Sequence, residues 1–310
     1  MSRVLITGCA GFLASHLILR LSQAKKHELF GISDVPPSPV LEGMRVFQED
    51  IRNRQRMMEL IAEVRPELTF HLAAVTNVGF AWKNQPLTYE VNFIGSSNLL
   101  EAVSRHAPAS RLLLMSSAEI YRPASGLIDE TAPIFSSNPY ALSKVAMELL
   151  ADLYVEALAL DVVKVRPFNF TGPGQDQKFV ASDFARQIAA IEKNLQEPVI
   201  RVGNLSAVRD FSDVRDIVRY LEVLSWRGEK GRVYNLCSGR RFSIQQVLDR
   251  LLSFSKRAIR VEADPDRLRP SDHPLLAGDC SRLEKEFGLK PEIPFEQTLL
   301  DLLNDWRRRL

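Results

Sequence analysis

The residues best suited to acid–base chemistry are Tyr140 and Lys144, which lie four positions apart. Asn138 is a suitable N-cap and Pro139 suits the first helical position, so a helix is predicted through the apolar-rich run Ala141–Leu160. On that helix the phenol and the ammonium share one face. A nearby ammonium lowers a tyrosine pKa, so the phenol could exchange a proton near neutral pH. The alternative is a buried tyrosine below a solvated lysine.

Composition restricts the class of protein. The 310 residues are 45% hydrophobic and 25% charged, with a net charge of +2, which disfavours a nucleic-acid or membrane surface. Cys9, Cys237 and Cys280 lie far apart and show neither disulfide nor metal-ligand spacing, which fits small buried side chains in a reducing compartment. No apolar run approaches a membrane span, and the first residues are typical of a strand instead of a signal peptide. We therefore expect a cytoplasmic enzyme or binding protein without a metal.

The elements around this pair begin with a glycine turn. A short buried strand, Arg3–Thr7, leads through Gly8 and Gly11 into an amphipathic helix that ends near Lys26. Gly8 permits a tight turn, Gly11 lets the backbone approach a pyrophosphate, and the helix N-terminus supplies amides to the phosphates. Ala14 is small enough for close packing of helix on strand. The sequence therefore predicts a dinucleotide site, although any strand–helix turn could look similar.

Acidic residues follow the next two predicted strands. The carboxylate of Asp34, after the strand His27–Ser33, would bind an adenosine ribose and repel the extra phosphate of NADP. No arginine directly follows it, so NAD is favoured over NADP, although Asp34 could instead only begin a proline-rich loop. Asp50 and Ile51, after the third strand, would hold an adenine between a carboxylate and an apolar face. Asp50 could instead cap the following helix.

The strand–helix alternation continues to residue 166. Small residues, Ala73 and Ala74, follow the fourth strand and leave room for a cofactor. The long helix Pro86–His106 contains Asn92, whose side chain could bond backbone or water, or face solvent. Further strands are predicted at Leu68–Leu72, Arg111–Met115 and Asp161–Val165. This order predicts an α/β fold, a doubly wound parallel sheet, with a Rossmann domain at residues 1–166 that binds NAD(P).

The pattern changes in the second half. Residues 166–175 are rich in turn formers and are predicted to form an irregular loop. Residues 167–310 are expected to form mainly a smaller α/β substrate domain, with the chain free to cross between the two. Strands are predicted at Val199–Val202 and Val233–Leu236, and helices at Ala181–Lys193, Val214–Trp226, Ser243–Ser255 and from Phe295 onward. The run Arg307-Arg308-Arg309 is interpreted as an exposed end.

Four segments of the first half occur in a combination typical of one family. They are Thr7-Gly8-x-x-Gly11-Phe12, His71-Leu72-Ala73-Ala74, Ser116-Ser117-Ala118-Glu119-Ile120-Tyr121 and Tyr140-x-x-x-Lys144. With them the chain resembles the extended short-chain dehydrogenase/reductase family, in the group that modifies nucleotide sugars, over essentially its whole length. Segments 166–175, 202–216 and 267–271, with Gly278-Asp279, are similar to the branch that acts on GDP-mannose derivatives. The resemblance implies an oxidoreductase that uses NAD(H) or NADP(H) to reduce the C4 ketone of GDP-4-keto-6-deoxy-D-mannose.

The resemblance also implies a role for individual residues. Tyr140 would donate the proton, Lys144 would hold the ribose, and Ser117 would hydrogen-bond the developing alkoxide, with Ser116 a turn residue that bonds the backbone. Further cofactor contacts are implied at Gly8, Ala10, Gly11, Phe12, Leu13, Asp34, Asp50, Ile51, Leu72, Ala73, Ala74, Asn92 and Pro167. Substrate contacts are implied at Ser117, Glu119, Asn169, Val180, Arg186, Val202, Asn204, Arg209 and Arg269, the last two as diphosphate ligands.

Other activities stay open at this point. Glu119 stands where the dehydratases of the branch place a catalytic glutamate, so GDP-mannose 4,6-dehydration is the main rival and C4 epimerisation a third. A sensor that binds a dinucleotide without turnover is the alternative from another class. Phe170 and Arg122 depart from the residues usual at their positions, which are histidine and glycine. The resemblance finally implies a homodimer that pairs through the helices Pro86–His106 and Pro139–Leu160.

Overall fold

The structure is a computed structural model that describes residues 1–36, 43–267 and 274–310. The chain divides into two compact units, and it passes between them several times. Unit 1 comprises Met1–Arg122, Ala132–Pro167 and Val218–Tyr234. Unit 2 comprises Pro123–Thr131, Phe168–Ile217 and Asn235–Leu310. No helix within the described ranges is long and apolar enough to cross a bilayer.

Strands and helices largely alternate through the first 170 residues, and the later strands are short. The strands in the described residues are β1 Ser2–Thr7, β2 His27–Ser33, β3 Met44–Gln48, β4 Leu68–His71, β5 Arg111–Met115, β6 Asp161–Pro167, β7 Asn169–Thr171, β8 Val199–Val202, β9 Val208–Arg209, β10 Phe211–Asp213, β11 Val233–Leu236, β12 Phe242–Ser243, β13 Arg260–Ala263 and β14 Leu275–Leu276. The α-helices are α1 Phe12–Gln23, α2 Arg54–Val64, α3 Val78–Lys83, α4 Gln85–Tyr89, α5 Ser96–His106, α6 Pro139–Leu158, α7 Val180–Glu192, α8 Val214–Arg227, α9 Ile244–Ser253, α10 Ser281–Phe287 and α11 Phe295–Arg309.

A seven-stranded sheet organises the first part of the chain, in the order β11-β6-β5-β4-β1-β2-β3. Neighbours from β3 to β6 pair in parallel, as the prediction of a doubly wound sheet requires. Val4, Leu5 and Ile6 of the interior strand β1 are fully buried, which is typical of a parallel sheet covered on both faces. The predicted α/β fold is therefore confirmed.

The last strand of this sheet comes from the second half of the sequence. Its neighbour β6 is joined to that segment by the Lys164 amide, which donates to the Arg232 carbonyl at 2.9 Å. A strand edge carries unpaired N–H and C=O groups, so a short apolar segment far away in sequence can complete the sheet. Local periodicity predicts a strand at Val233–Leu236, but it does not indicate which sheet the strand joins.

The helix predicted over Pro86–His106 is interrupted in the middle. It consists of α4, a π-helical segment at Glu90–Gly95, and α5. A Cβ on Gly95 would lie 2.5 Å from Ile51, so glycine permits close packing here. The π turn buries Asn92 completely, and the alternative in which Asn92 faces solvent is wrong.

Unit 2 is built from short strand pairs around its own core. The strands β7 and β10 pair in parallel, as do β8 and β13, while β9 lies between β12 and β14. Its helices α7, α9 and α11 bury apolar faces in one cluster that includes Phe184, Leu248, Leu302 and Trp306. Because Asn169–Thr171 pairs with β10, the prediction of a purely irregular loop at 166–175 is wrong.

One of the arginines near the C-terminus also differs from the prediction. Arg307 is half-buried, and its guanidinium donates to both carboxylate oxygens of Glu192 and to the Phe254 carbonyl. Arg309 stacks on Trp306 with its guanidinium carbon 3.9 Å from the ring centroid. Arg308 and Arg309 are exposed, so the interpretation of the run as an exposed end is wrong only for Arg307.

Candidate active site

The first turn of α6 presents the tyrosine and the lysine. The Asn138 side chain accepts a hydrogen bond from the Ala141 amide at 2.8 Å, and Pro139 occupies the first turn. This confirms the predicted cap and start of the helix. Tyr140 and Lys144 are both buried, so the alternative with a solvated lysine is wrong.

Burial dominates the ionisation of both groups. It raises the pKa of Tyr140 to about 12, an effect that a hydrogen bond with Ser117 opposes and the Glu119 carboxylate adds to. Burial also lowers the pKa of Lys144 to about 7, opposed by Glu148. The expectation that Lys144 lowers the tyrosine pKa is therefore wrong in this structure. The ammonium nitrogen lies 6.0 Å from the phenol ring centroid and donates instead to the Met115 carbonyl at 2.7 Å.

The serine segment after β5 faces this pair. Ser117 caps a 3-10 turn at Ala118–Ile120, where its hydroxyl accepts from the Glu119 amide at 3.2 Å. Glu119 is half-buried on that turn. The neighbouring Ser116 hydroxyl is buried and has no partner among the described residues, so its interpretation as a residue that bonds the backbone through its side chain is wrong. Tyr121 is fully buried as a packed aromatic.

Asn92 supports the start of α6 from the π-helical segment. Its amide nitrogen donates to the Val75 carbonyl at 3.0 Å and to the Ser143 hydroxyl at 2.9 Å, while its oxygen accepts from the Val75 amide at 2.8 Å. The Ser143 hydroxyl in turn donates to the Tyr140 carbonyl at 2.7 Å. All donors of the Asn92 side chain are thus engaged within the protein, where they position the tyrosine. A contact of Asn92 with the cofactor stays a prediction.

His71 is a positioning residue that sequence reasoning missed. Its ring nitrogens contact the hydroxyls of Thr7 at 2.7 Å and Ser96 at 2.8 Å. The Ser96 hydroxyl donates to the Asn92 carbonyl at 2.6 Å, so it accepts from Nε2–H of the imidazole, and Nδ1 accepts from Thr7. Burial, with a smaller effect of Lys144, lowers the pKa of His71 to about 3. The signals for it were a polar residue inside a buried apolar strand and its place in the segment His71-Leu72-Ala73-Ala74.

This neutral histidine makes stability dependent on pH. Because its folded-state pKa of about 3 lies below the unfolded value of about 6.5, the unfolded chain takes up the proton first on acidification. We expect His71 to contribute a loss of about 2 kcal/mol in the free energy of unfolding between pH 7 and pH 5. Urea unfolding at both pH values measures the free energy of unfolding. In His71→Gln its decrease from pH 7 to pH 5 should be about 2 kcal/mol smaller than in the wild type. The exposed-site control His106→Gln should keep the wild-type loss, and equal losses in all three proteins would contradict the assignment.

The glycine turn after β1 fits a dinucleotide. Gly8 has φ +69°, and a Cβ there would lie 2.8 Å from the backbone of Ala73, so only glycine fits without strain. Ala73 is held in place by its amide, which donates to the Thr7 hydroxyl at 3.2 Å. The helix α1 begins directly after Gly11. Glycine has no side chain that could cap the helix, so the backbone amides of its first turn can bind phosphate oxygens. Ala10, Phe12 and Leu13 belong to the same turn and first helical turn.

An open cleft of about 460 Å³ lies beside Asp50, one of the two residues predicted to hold an adenine. It is lined by Asp50, Arg52, Asn53, Glu90 and Ile94. The Asp50 carboxylate accepts from the Arg52 guanidinium at 2.6 Å, which lowers the pKa of Asp50. The helix cap is Asn53, whose side chain accepts from the Arg56 amide, so the alternative that Asp50 caps α2 is wrong.

The other predicted cofactor residues lie at strand ends. Asp34 is exposed directly after β2, Ile51 is buried against the π-helical segment, and Pro167 is buried at the end of β6. Leu72, Ala73 and Ala74 are half-exposed after β4. Carboxyl ends of parallel strands meet at one edge of a sheet, which is where ligands bind in this class of fold.

Predicted substrate residues within unit 2 fall on several elements. Asn169 lies in β7, Val180 begins α7, Val202 ends β8, and the Asn204 oxygen accepts from the Ser206 amide and hydroxyl at 3.0 and 2.8 Å. Arg269 lies outside the described residues.

The described arginines of this set are mostly covered. Arg209 is 8% exposed in β9 and donates to the Val208 carbonyl at 2.9 Å. Arg186 pairs with Asp183 at 3.6 Å, and Arg267 binds the same carboxylate. Arg186 therefore balances an acidic neighbour on its own helix, and its role as a sugar-nucleotide ligand stays a prediction. Phe170, which stands where histidine is usual, lies in β7. Arg122, which stands where glycine is usual, places its guanidinium over the Phe135 ring.

The family described as GDP-mannose 4,6 dehydratase matches residues 5–302. The chain is 34% identical to the GDP-6-deoxy-D-mannose reductase of Pseudomonas aeruginosa, covering 99% of this chain and 98% of that protein. It is 30% identical to the GDP-6-deoxy-D-talose 4-dehydrogenase of Aggregatibacter actinomycetemcomitans, covering 92% and 91%.

Solved structures show the same likeness. The structure of RMD from Pseudomonas aeruginosa complexed with NADPH superposes with a TM-score of 0.86 at 30% identity, covering the whole of both chains. The UDP-glucose 4-epimerase of Thermus thermophilus in complex with NAD gives 0.89 at 26% identity, covering 99% of this chain and 100% of that one. With its Rossmann sheet, glycine turn and serine–tyrosine–lysine cluster, the chain belongs to the GDP-mannose 4,6-dehydratase family of NAD(P)-dependent enzymes.

Proposed function

We propose that this protein reduces the C4 ketone of GDP-4-keto-6-deoxy-D-mannose to GDP-6-deoxy-D-mannose, using NADH or NADPH. The observation that carries the substrate assignment is the full-length likeness to a GDP-6-deoxy-D-mannose reductase. The buried Ser117–Tyr140 pair supports the reaction type, because ketone reduction requires a proton donor beside the carbonyl oxygen.

Tyr140 is the proton donor in this proposal. With a pKa of about 12 its phenol is protonated at neutral pH, and it releases its proton only to a more basic oxygen, such as a developing alkoxide. Ser117 hydrogen-bonds the same oxygen and stabilises the charge that forms there. When bound, NADH or NADPH would supply the hydride for C4.

Lys144 holds the cofactor in this proposal. Its pKa of about 7 means that its charge responds readily to a polar group placed beside it, such as ribose hydroxyls. Gly8, Gly11 and the start of α1 would bind the pyrophosphate, and the cleft beside Asp50 would take the adenine. Asp34 favours NADH over NADPH, and both cofactors belong in the assay because the relative from Pseudomonas aeruginosa is described with NADPH.

The test is a product analysis. We expect the protein, given GDP-4-keto-6-deoxy-D-mannose and either reduced cofactor, to oxidise the cofactor and yield GDP-6-deoxy-D-mannose, identified by NMR. Incubation with GDP-D-mannose and oxidised cofactor should yield no 4-keto product. Formation of that product would contradict the proposal and favour the dehydratase, for which half-buried Glu119 supplies the carboxylate. A C4 epimer appearing without net cofactor oxidation would favour epimerisation, and cofactor binding without turnover would favour a sensor.

We further propose a homodimer that forms through α6 and the helical segment before α5. Leu142, Leu149 and Leu153 share one face of α6 and are 47%, 64% and 58% exposed, and Ile94 is 46% exposed. Such clustered apolar exposure is typical of an interface. The cytoplasmic location expected from composition stays a prediction.

The oligomeric state can be tested with matched variants. Light scattering should give a dimer for the wild type and a monomer for Leu149→Glu/Leu153→Glu, because two buried carboxylates would oppose association. Leu158→Glu is the control, since Leu158 is 60% exposed on the opposite side of the same helix and should leave the dimer intact. A wild-type monomer, or a dimer that survives the double substitution, would refute this interface.

A further inference from the structure

Two cysteines that are far apart in sequence lie side by side in unit 2. Cys237 follows β11 and is fully buried, while Cys280 directly precedes α10 and is half-buried. The two thiols interact closely enough that each shifts the pKa of the other. The third cysteine, Cys9, is buried elsewhere, in unit 1. The expectation of small buried side chains holds for Cys9 and Cys237 and is wrong for half-buried Cys280.

A buried carboxylate joins the two segments that carry the cysteines. The Asp210 carboxylate accepts hydrogen bonds at 2.8 Å from the Ser238 amide, the Ser238 hydroxyl and the Gly239 amide, and it also accepts from the Gly278 amide. One carboxylate therefore ties the segment after Cys237 to the segment before Cys280.

Two glycines bring the segments into close contact. A Cβ on Gly278 would lie 2.7 Å from the Cys237 sulfur, and a Cβ on Gly239 would lie 3.1 Å from the Cys280 sulfur. Any larger residue at either position would push the segments apart. Each sulfur therefore lies against the segment that carries the other cysteine.

The two thiols are not equivalent. The hydrogen bond from Cys237 lowers the pKa of Cys280, although partial burial, Asp210 and Asp279 oppose this. Burial raises the pKa of Cys237 well above its ordinary value. Asp279 and Ser281, on either side of Cys280, line an open cleft of about 320 Å³, whose other lining residues are Asp129, Glu130, Thr131, Arg282, Lys285 and Glu286. Cys280 is therefore the more acidic and the less buried of the two thiols, as an attacking thiol should be, and Cys237 is its protected neighbour.

We propose that Cys280 and Cys237 form a peroxide-sensitive dithiol that closes into a reversible intramolecular disulfide. The Cys280 thiolate attacks a hydroperoxide, its O–O bond breaks, hydroxide or alkoxide leaves, and a sulfenic acid forms on Cys280. The Cys237 sulfur then attacks the sulfenic sulfur, an S–S bond forms, and water leaves. The two cysteines lose two electrons in total, which reduce the peroxide, and an external thiol reverses the change. This site is independent of the sugar-nucleotide reaction proposed above.

The experiment treats the full-length protein with hydrogen peroxide and maps its thiols by mass spectrometry. We expect a disulfide between Cys237 and Cys280 within one chain, a loss of two of the three titratable thiols after unfolding, and full recovery with dithiothreitol. Retention of all three thiols, or a disulfide that links two chains, would overturn the proposal.

Three variants assign the roles of the two sulfurs. Cys237→Ser should accumulate a dimedone-trappable sulfenic acid on Cys280, since no resolving thiol remains, whereas Cys280→Ser should give neither adduct nor disulfide. Cys9→Ser is the control and should form the disulfide as the wild type does. Dimedone labelling of Cys237 in Cys280→Ser, to the extent seen for Cys280, would show that the attacking thiol is misassigned. Circular dichroism checks that each variant is folded, and the wild-type mapping decides the central point even if one variant is not.

Discussion

Tyr140→Phe should lower kcat for reduction of GDP-4-keto-6-deoxy-D-mannose by about 10²–10⁴-fold, the usual contribution of a positioned general acid. Phenylalanine keeps the ring in its buried site but removes the proton that the alkoxide needs. The Ser117 hydroxyl remains and can still stabilise negative charge, so some activity should survive. We expect the loss to appear in kcat because the proton moves only as the transition state forms.

The measurement is steady-state oxidation of the reduced cofactor, with cofactor binding followed separately by fluorescence. Binding should change little, since the substitution leaves the glycine turn and Lys144 intact. Tyr154→Phe is the matched control: it makes the same chemical change on the same helix, at a half-buried tyrosine that packs against the core of unit 1. Its kcat should match the wild type. An unchanged kcat in Tyr140→Phe would remove Tyr140 as the proton donor.

Removing the charge of either member of the buried Arg166–Glu148 pair should lower the free energy of unfolding by about 3–5 kcal/mol, because the other charge then stays inside the protein without its partner. The side chains are 5% and 4% exposed, and the guanidinium donates to the two carboxylate oxygens at 2.9 and 2.6 Å. Arg166 also donates to the Tyr121 hydroxyl at 2.9 Å. We expect this loss in both Arg166→Met and Glu148→Gln.

Urea unfolding at pH 7 tests this pair, and the double variant Arg166→Met/Glu148→Leu supplies the contrast. Replacement of both charges should recover most of the loss, since no unpaired charge remains buried. Arg54→Met is the control, because Arg54 pairs with Glu101 at 2.6 Å on an exposed surface and should cost less than about 1 kcal/mol. A small loss in both single variants would mean that solvent reaches the pair.

The Glu148 carboxylate also links this pair to the active site. It lies one turn after Lys144 on α6, and its charge opposes the fall in the lysine pKa that burial causes. Arg166 orients that carboxylate from β6. The network therefore supports the lysine as well as the fold, although it touches neither reactant in the proposed reaction.

Local sequence determined much of this protein. The alternation of buried apolar runs with amphipathic stretches predicts the parallel sheet, because each strand and helix carries its own periodicity. Asn138 with Pro139 predicts the start of α6, and Gly8 predicts the turn after β1. These features depend on backbone conformation within a few residues, so neighbouring residues alone suffice to predict them.

The tertiary structure decided which distant groups meet and how much water they retain. Lys144 was expected to lower the tyrosine pKa, but burial raises it, since desolvation depends on every element that covers the phenol. The support from Asn92 through Ser143, the neutral state of His71 and the Cys237–Cys280 contact join residues on different elements. No short segment contains both partners of these contacts, and their energies arise from packing and burial that exist only in the folded chain.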